Sequence, residues 1–233
     1  KEAMEHAGRT GGLPFVGVGW YRTEFDVPQF QAGKWATILF DGAMSHANVY
    51  INGQKVGYWP YGYNSFHFDI TKYLKPGEKN TLAVRLENLP ESSRWYPGAG
   101  LYRNVHLIIT EDAYIPVWGT YITTPSVNEK FAKVNVRTKV VLPEGADPAK
   151  YSVETSVWNP NKQKLTAVRT SLAQMKYNNN QAEQEFVIQA PSLWSPEMPA
   201  LYSAETCLYE GDKLKDIYTT PFGIRSIEII PYT

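Results

Sequence analysis

The stretch ANVYINGQKVGYW, residues 47–59, contains two short alternating segments joined by an Asn-Gly pair. Apolar and polar residues alternate on both sides of that pair, which is the period of a half-buried β-strand. Asn52 and Gly53 both tolerate the positive φ angles that a two-residue hairpin turn requires. The stretch therefore predicts a β-hairpin with strands over residues 47–51 and 55–59.

The sequence on either side of this hairpin has the same character. Segments rich in Val, Ile, Tyr, Phe, Trp and Thr alternate with period two and are separated by turn residues such as Lys75-Pro76-Gly77. A single helical turn is expected over residues 70–74. The further strands predicted in this half cover residues 19–27, 35–40, 65–70, 81–87 and 102–109.

Composition shifts over residues 110–116, and shorter strands follow at regular spacing. They are predicted over residues 119–123, 132–142, 152–159, 165–172, 184–189, 201–209 and 213–222. About seven short strands with such turns are typical of an immunoglobulin-like sandwich. We therefore predict an all-β protein of two β-sandwiches, with domains at residues 1–112 and 113–233. A last apolar strand over residues 226–233 has no sequence left to pair with, which indicates that the chain is cut from a longer protein.

Charge and residue usage exclude several function classes. Lys plus Arg and Asp plus Glu number 23 each in the 233 residues, so no net charge favours nucleic acid or an anionic membrane surface. No apolar run approaches the ~20 residues of a membrane span. Cys207 is the only cysteine and the four histidines are scattered, so neither a metal nor another cofactor is predicted.

The loop within SSRWYPGAGLYRNVHL, residues 92–107, is unusually aromatic. Loops are mostly small and polar, whereas this one places Arg94, Trp95 and Tyr96 ahead of Gly98 and Gly100. Such a loop either packs beneath another part of the protein or binds a ligand.

Three long segments carry a resemblance. They are GVGWYRTEFDVP (residues 17–28), the whole of residues 40–88, and SRWYPGAGLYRNVHL (residues 93–107). Together they resemble the N-terminal sugar-binding domain of glycoside hydrolase family 2, with particular similarity to bacterial β-galactosidases. LWSPEMPALY (residues 193–202) and FGIRSIE (residues 222–228) resemble the segments that close the family's immunoglobulin-like domain. The resemblance implies a jelly-roll sandwich followed by an immunoglobulin-like one. It also implies a catalytic (β/α)8 barrel that this chain lacks, and a trimmed N-terminus.

The resemblance also bears on catalysis. Retaining glycoside hydrolysis uses two carboxylates about 5–5.5 Å apart, and in this family both are glutamates of the barrel. The one Asn-Glu pair here, Asn128-Glu129, lies in a polar turn that offers no second carboxylate. The chain is therefore expected to carry no catalytic residue, while its parent hydrolyses terminal β-D-galactosides. A β-glucuronidase or β-mannosidase parent and a stand-alone carbohydrate-binding or adhesion module remain the alternatives.

The same resemblance suggests which residues meet the substrate. The Arg94 guanidinium would donate hydrogen bonds to sugar hydroxyls or to a barrel carboxylate. Ser93 and the Asn88 amide are smaller polar candidates. Trp95 or Tyr96 would stack on an apolar sugar face, unless both pack against the absent barrel.

Two other aromatic segments have competing interpretations. GWYR, residues 19–22, is expected to lie in the core, with Trp20 or Tyr21 pointing inward and Arg22 paired to a carboxylate. YWPYGY, residues 58–63, is expected to be part of the sandwich, although a carbohydrate-binding module would display such a cluster as a stacking platform.

Overall fold

The structure, a computed structural model, describes residues 17–30, 33–89, 99–174 and 181–228. Its regular structure consists of antiparallel β-strands and three short 3-10 turns. The chain divides into two compact units, residues 1–109 and 110–233. Among the described residues, no helix is long and apolar enough to cross a membrane.

The first unit is a β-sandwich of two antiparallel sheets. One sheet has the strand order β1-β6-β3-β4 and the other β5-β2-β7. The strands are β1 (Gly17–Asp26), β2 (Trp35–Phe40), β3 (Ala47–Ile51), β4 (Gln54–Trp59), β5 (Phe66–Asp69), β6 (Lys79–Asn88) and β7 (Val105–Thr110). A 3-10 turn, Thr71–Tyr73, lies where a helical turn is predicted.

The hairpin predicted over residues 47–59 is confirmed. Ala47 pairs with Trp59 and Ile51 with Gln54, and the turn residues Asn52 and Gly53 have φ angles of 51° and 80°. The Asn52 amide also donates to the side-chain oxygen of buried Asn80 at 2.7 Å. The turn that joins β3 and β4 is therefore tied to the start of β6.

The alternating apolar residues of both sheets meet in one core. Phe40 and Phe66 stack at 4.8 Å between ring centroids, and Val49 and Val84 are fully buried beside them. Because these residues come from strands of the two facing sheets, the period-two pattern accounts directly for the sandwich.

The expectation that GWYR lies in the core, with Trp20 or Tyr21 pointing inward, is wrong as to burial, because both rings are exposed. Trp20 is on the outer face of β1 with 59% of its surface exposed, and Tyr21, on the inner face, is still 41% exposed. None of the ion pairs between described residues includes Arg22. The physical reason is that, among the described strands, β1 lies at the edge of its sheet, so its residues have a neighbouring strand on one side only.

The second unit is a sandwich of sheets ordered β11-β10-β13-β14 and β12-β9-β8. Its strands are β8 (Thr120–Val127), β9 (Phe131–Lys139), β10 (Tyr151–Trp158), β11 (Lys164–Ser171), β12 (Gln181–Gln189), β13 (Tyr202–Glu210) and β14 (Lys213–Phe222). Val134, Val157 and Phe186 are buried between the sheets. This architecture confirms the predicted all-β class, a jelly-roll sandwich followed by an immunoglobulin-like one.

The segment before β8 is attached along β14. The Lys215 side chain is 6% exposed, and its ammonium lies 2.7 Å from an Asp112 carboxylate oxygen and 3.6 Å from a Glu210 carboxylate oxygen. The Ile115 amide donates to Asp216 at 2.8 Å. This hydrogen bond opposes the burial that raises the pKa of the Asp216 carboxyl. These contacts fix the path by which the chain enters the second sandwich.

The two segments that resemble the closing part of the family's second domain meet in space. The Arg225 guanidinium lies 4.8 Å from the centroid of the Trp194 ring, and the Trp194 amide donates to the Ile224 carbonyl at 2.8 Å. Of the last predicted strand, residues 226–228 are irregular and residues 229–233 lie outside the described part.

Candidate functional site

The predicted site divides between described and undescribed residues. Ser93, Arg94, Trp95 and Tyr96 lie outside the residues that the structure describes, so their contacts stay predictions. Asn88 is described: it is the last residue of β6, half-buried, opposite Gly17 in the register of β1 and β6. It stands where the sheet ends and the aromatic loop begins.

The two ends of that loop are held by one short segment. The Glu87 amide donates to the Ser45 carbonyl at 2.9 Å, and the Ser45 hydroxyl donates to the Glu87 carbonyl at 3.0 Å. Met44 and Gly100 exchange two backbone hydrogen bonds, each 3.0 Å long. Residues 44–45 therefore contact the chain just before and just after the loop, which fixes where the loop leaves and rejoins the sandwich.

Gly100 is a tightly packed point of this arrangement. Its φ angle is 103°, a conformation that residues with a side chain rarely adopt, and a Cβ there would lie 2.3 Å from the Tyr21 hydroxyl oxygen. Nearby, the Tyr102 hydroxyl donates to the Gly62 carbonyl at 2.8 Å. The chain that returns from the loop is thus packed against Tyr21 at Gly100 and bonded to Gly62 through Tyr102.

Gly100→Ala is expected to destabilise the chain by roughly 2–3 kcal/mol, because the backbone strain adds to the clash with Tyr21. Urea unfolding measures the change. Gly145→Ala is the matched control, since Gly145 has a φ of 73° and nothing within 4 Å of the added Cβ; it should cost about 1 kcal/mol. Tyr21→Phe should recover part of the loss in the double variant. Equal losses for the two glycines would show that Tyr21 moves aside without cost.

The aromatic segment at residues 58–63 is partly structural and partly exposed. Trp59 stacks on Phe66 at 5.5 Å, and Tyr58 makes a 2.6 Å hydrogen bond with the His46 imidazole. Tyr61 and Tyr63 are 55% and 51% exposed, with their rings tilted by 58° to each other. Two rings at that angle do not form a flat stacking platform, so the sandwich interpretation fits this segment better.

A polar groove of about 540 Å³ was not predicted from the sequence. It is lined by Asp41, Ser65, Tyr102, Arg103 and Asn104. Asp41 contacts the His106 imidazole at 3.0 Å, and its carbonyl accepts from Ser65 and Arg103. These partners are 24 to 65 residues apart in the chain, and no local motif brings them together. Because they already bond to one another, the groove holds β2 against β7 rather than offering free groups.

Among the described residues outside the loop, we considered a carboxylate, a thiol and possible metal ligands as carriers of other chemistry. Glu129 is exposed in the turn between β8 and β9, where the neighbouring Asn128 side chain accepts from the Lys130 and Phe131 amides. Burial is the main cause that raises the pKa of the Cys207 thiol, which makes it a poorer nucleophile. Within the described ranges, no group of His, Cys, Asp or Glu side chains is arranged to hold a metal ion.

Two family models match nearly all of this architecture. The model described as "Glycosyl hydrolases family 2, sugar binding domain" matches residues 14–111, and the one described as "Glycosyl hydrolases family 2" matches residues 114–225. The chain thus has the two β-sandwich domains that precede the catalytic part in this class of protein. It belongs to the glycosyl hydrolases of family 2, and the resemblance seen in the sequence is confirmed.

Relatives named as two different kinds of glycosidase share these two domains. Beta-galactosidase BoGH2A of Bacteroides ovatus is 40% identical over 97% of this chain and 27% of its own length. A beta-glucuronidase of Bacteroides fragilis is 32% identical over 90% of this chain and 31% of its own. The crystal structure of a family 2 member from Bacteroides cellulosilyticus superposes with a TM-score of 0.81, at 33% identity, over 91% of this chain and 27% of its own. The chain spans about a quarter to a third of these relatives.

Proposed function

We propose that this chain is the non-catalytic N-terminal part of a retaining glycoside hydrolase that removes terminal β-D-galactosides. The observation that carries the proposal is the 40% identity to a β-galactosidase across 97% of the chain, which includes both sandwiches and the aromatic loop. The two catalytic carboxylates are then supplied by a barrel domain outside this chain, since retaining hydrolysis needs both of them close together.

In this proposal the first sandwich contributes one wall of the substrate pocket. Asn88 stands at one end of the loop, and residues 44–45 hold both ends. Arg94 and Ser93 donate to sugar hydroxyls, while Trp95 and Tyr96 stack on the sugar or on the barrel. Fixed loop ends reduce the conformational entropy that is lost when the substrate binds, which is how such a wall contributes to catalysis without chemistry of its own.

A β-glucuronidase parent is the second candidate, because a relative of that name is 32% identical over 90% of the chain. The two sugars differ at two positions: the C4 hydroxyl is axial in a galactoside and equatorial in a glucuronide, and the substituent at C5 also differs. A glucuronide carries a carboxylate where a galactoside carries a neutral hydroxymethyl group. The two candidates are therefore separated by the substrate that the parent accepts.

Steady-state kinetics on the full-length parent test the proposal, with the nitrophenyl β-glycosides of galactose, glucuronic acid and mannose as substrates. The galactoside is expected to be cleaved with a kcat/KM at least about 100-fold above the others, a discrimination of about 2.7 kcal/mol. This chain alone is expected to cleave none of them. A parent that prefers the glucuronide would overturn the galactosidase assignment, and turnover by the purified chain would overturn its non-catalytic role.

A further inference from the structure

An aromatic ridge lies on the outer face of the sheet β1-β6-β3-β4. Trp20, 59% exposed, and Tyr50 project from strands on either side of β6, and their ring centroids are 5.6 Å apart with an angle of 37° between the planes. The rings therefore lean toward each other across β6, where the residue opposite Tyr50 is the small Ala83. A tryptophan this exposed does not contribute to the core of the sandwich.

The strand register extends this ridge into a row across all four strands. Trp20 is opposite Arg85, Arg85 is opposite Asn48, and Asn48 is opposite Tyr58. With neighbouring strands about 4.8 Å apart, the row is about 14 Å long. Rings stand at its two ends, and side chains that can donate or accept hydrogen bonds lie between them.

The polar groups of the row are held in place by their neighbours. Arg85 bonds to Glu87, and each of these side chains keeps 28% of its surface exposed. The Asn48 amide donates to the His46 carbonyl at 3.2 Å, and the Tyr58 hydroxyl bonds to the His46 imidazole at 2.6 Å. The face thus combines exposed rings with fixed donors and acceptors, and its ion pair leaves little net charge.

We propose that this face, defined by Trp20, Tyr50, Arg85, Asn48 and Tyr58, binds a neutral oligosaccharide. The apolar C–H face of a pyranose packs on the exposed side of the Trp20 ring, as flat apolar groups do on aromatic surfaces. Its hydroxyls exchange hydrogen bonds with the polar side chains of the row.

The composition of the face favours a sugar over a protein partner. An ion pair and an amide separate the adjacent Trp20 and Tyr50 rings from Tyr58, so the apolar part of the face is interrupted by polar groups, unlike the large contiguous patch that marks a protein interface. The face also differs from the pocket wall proposed above. Side chains alternate along β6, so Asn88 points to the opposite side of the sheet from Arg85 and Glu87. Binding here does not depend on what the parent hydrolyses.

Titration of this chain with β-1,4-galactotetraose, followed through the tryptophan indole N–H signals in NMR spectra, tests the proposal. The Trp20 signal is identified as the one that Trp20→Phe removes. It is expected to shift saturably, while the signal of Trp118, a comparably exposed residue of the second unit, stays in place. Trp20→Ala should weaken binding by up to about tenfold, the loss of one stacked ring. Trp118→Ala should leave binding unchanged.

Three results would overturn the proposal. The first is the absence of any saturable shift at millimolar sugar. The second is binding that Trp20→Ala does not weaken, which would place the ligand elsewhere on the chain. The third is a Trp20 signal that responds to protein concentration instead of sugar, which would make this face a contact between copies. Since Trp20 is exposed, the variants should keep the thermal stability of the original chain, so a loss of binding is not a loss of folding.

Discussion

Lys215→Met is expected to lower the free energy of unfolding of this chain by roughly 2–3 kcal/mol, as large a stability effect as that expected for Gly100→Ala. The Lys215 side chain is almost completely buried and its ammonium joins Asp112 to Glu210, so its loss leaves two carboxylates without their cation. The value lies at the low end for buried pairs because both carboxylates are about 40% exposed and regain hydration. Urea unfolding, monitored by tryptophan fluorescence, measures the change.

Lys133→Met is the matched control, since Lys133 pairs with Glu185 on an exposed sheet surface. It should cost less than about 0.5 kcal/mol, as exposed pairs do. Equal losses for the two lysines would contradict the proposed role of Lys215.

The effect of Lys215→Met should also depend on pH. The hydrogen bond with Lys215 holds the pKa of Asp112 below its usual value of 3.8, and the hydrogen bond with Asp112 raises the pKa of Lys215 above 10.5. A carboxyl whose pKa is lower in the folded chain than in the unfolded chain stabilises the fold at pH values above its pKa in the unfolded chain. This stabilisation is lost as the pH falls through its pKa in the folded chain. An amine whose pKa is higher in the folded chain than in the unfolded chain stabilises the fold at pH values below its pKa in the unfolded chain. This stabilisation is lost as the pH rises through its pKa in the folded chain. The difference between the original chain and the variant should therefore be constant near neutral pH and shrink at both extremes.

The strands are the part of the structure that the sequence predicts best. The predicted segments 35–40 and 213–222 coincide with β2 and β14. In β2 the alternation buries Ala36, Ile38 and Phe40 on one face, and a one-residue slip in register would expose all three. Errors occur where tertiary contacts override the pattern. The strand predicted to start at residue 102 begins at Val105, since the Tyr102 hydroxyl instead donates a hydrogen bond to the Gly62 carbonyl. The strand predicted to end at residue 123 continues to Val127, because β8 is an edge strand and accepts Pro125 at a register shift.

The candidate site is harder to predict because its parts are distant in the chain. Alternation shows that Trp20 and Tyr21 face opposite ways, but it does not show that β1 is an edge strand, and that position leaves Trp20 exposed. The bonds from residues 44–45 to both ends of the aromatic loop join segments more than 40 residues apart. No local motif encodes such pairings. The loop itself was recognised only because Arg94, Trp95 and Tyr96 are unusual residues for a glycine-rich segment.

Arg94→Ala in the full-length parent is expected to lower kcat/KM for a nitrophenyl β-galactoside by roughly 10- to 100-fold, the largest activity effect we predict. The proposed hydrogen bonds from a guanidinium to sugar hydroxyls or to a barrel carboxylate are charge-assisted, and losing them costs about 1.5–3 kcal/mol. Because a lysine ammonium lacks the planar set of N–H donors of a guanidinium, Arg94→Lys should recover only part of the lost kcat/KM. The thermal stability should change little, because the proposed role is contact with the substrate and not packing of the sandwich.

The ratio of kcat/KM values for Arg94→Ala and the original parent, with Arg137→Ala as the control, tests most directly whether this chain shapes a sugar pocket. Arg137 is an exposed arginine of the second unit, paired with Glu183 on the sheet surface, so its removal should leave the ratio near one. We expect a ratio of about 0.1 or below for Arg94→Ala at unchanged melting temperature. A ratio near one for both variants would contradict it and leave the aromatic loop as a packing element alone.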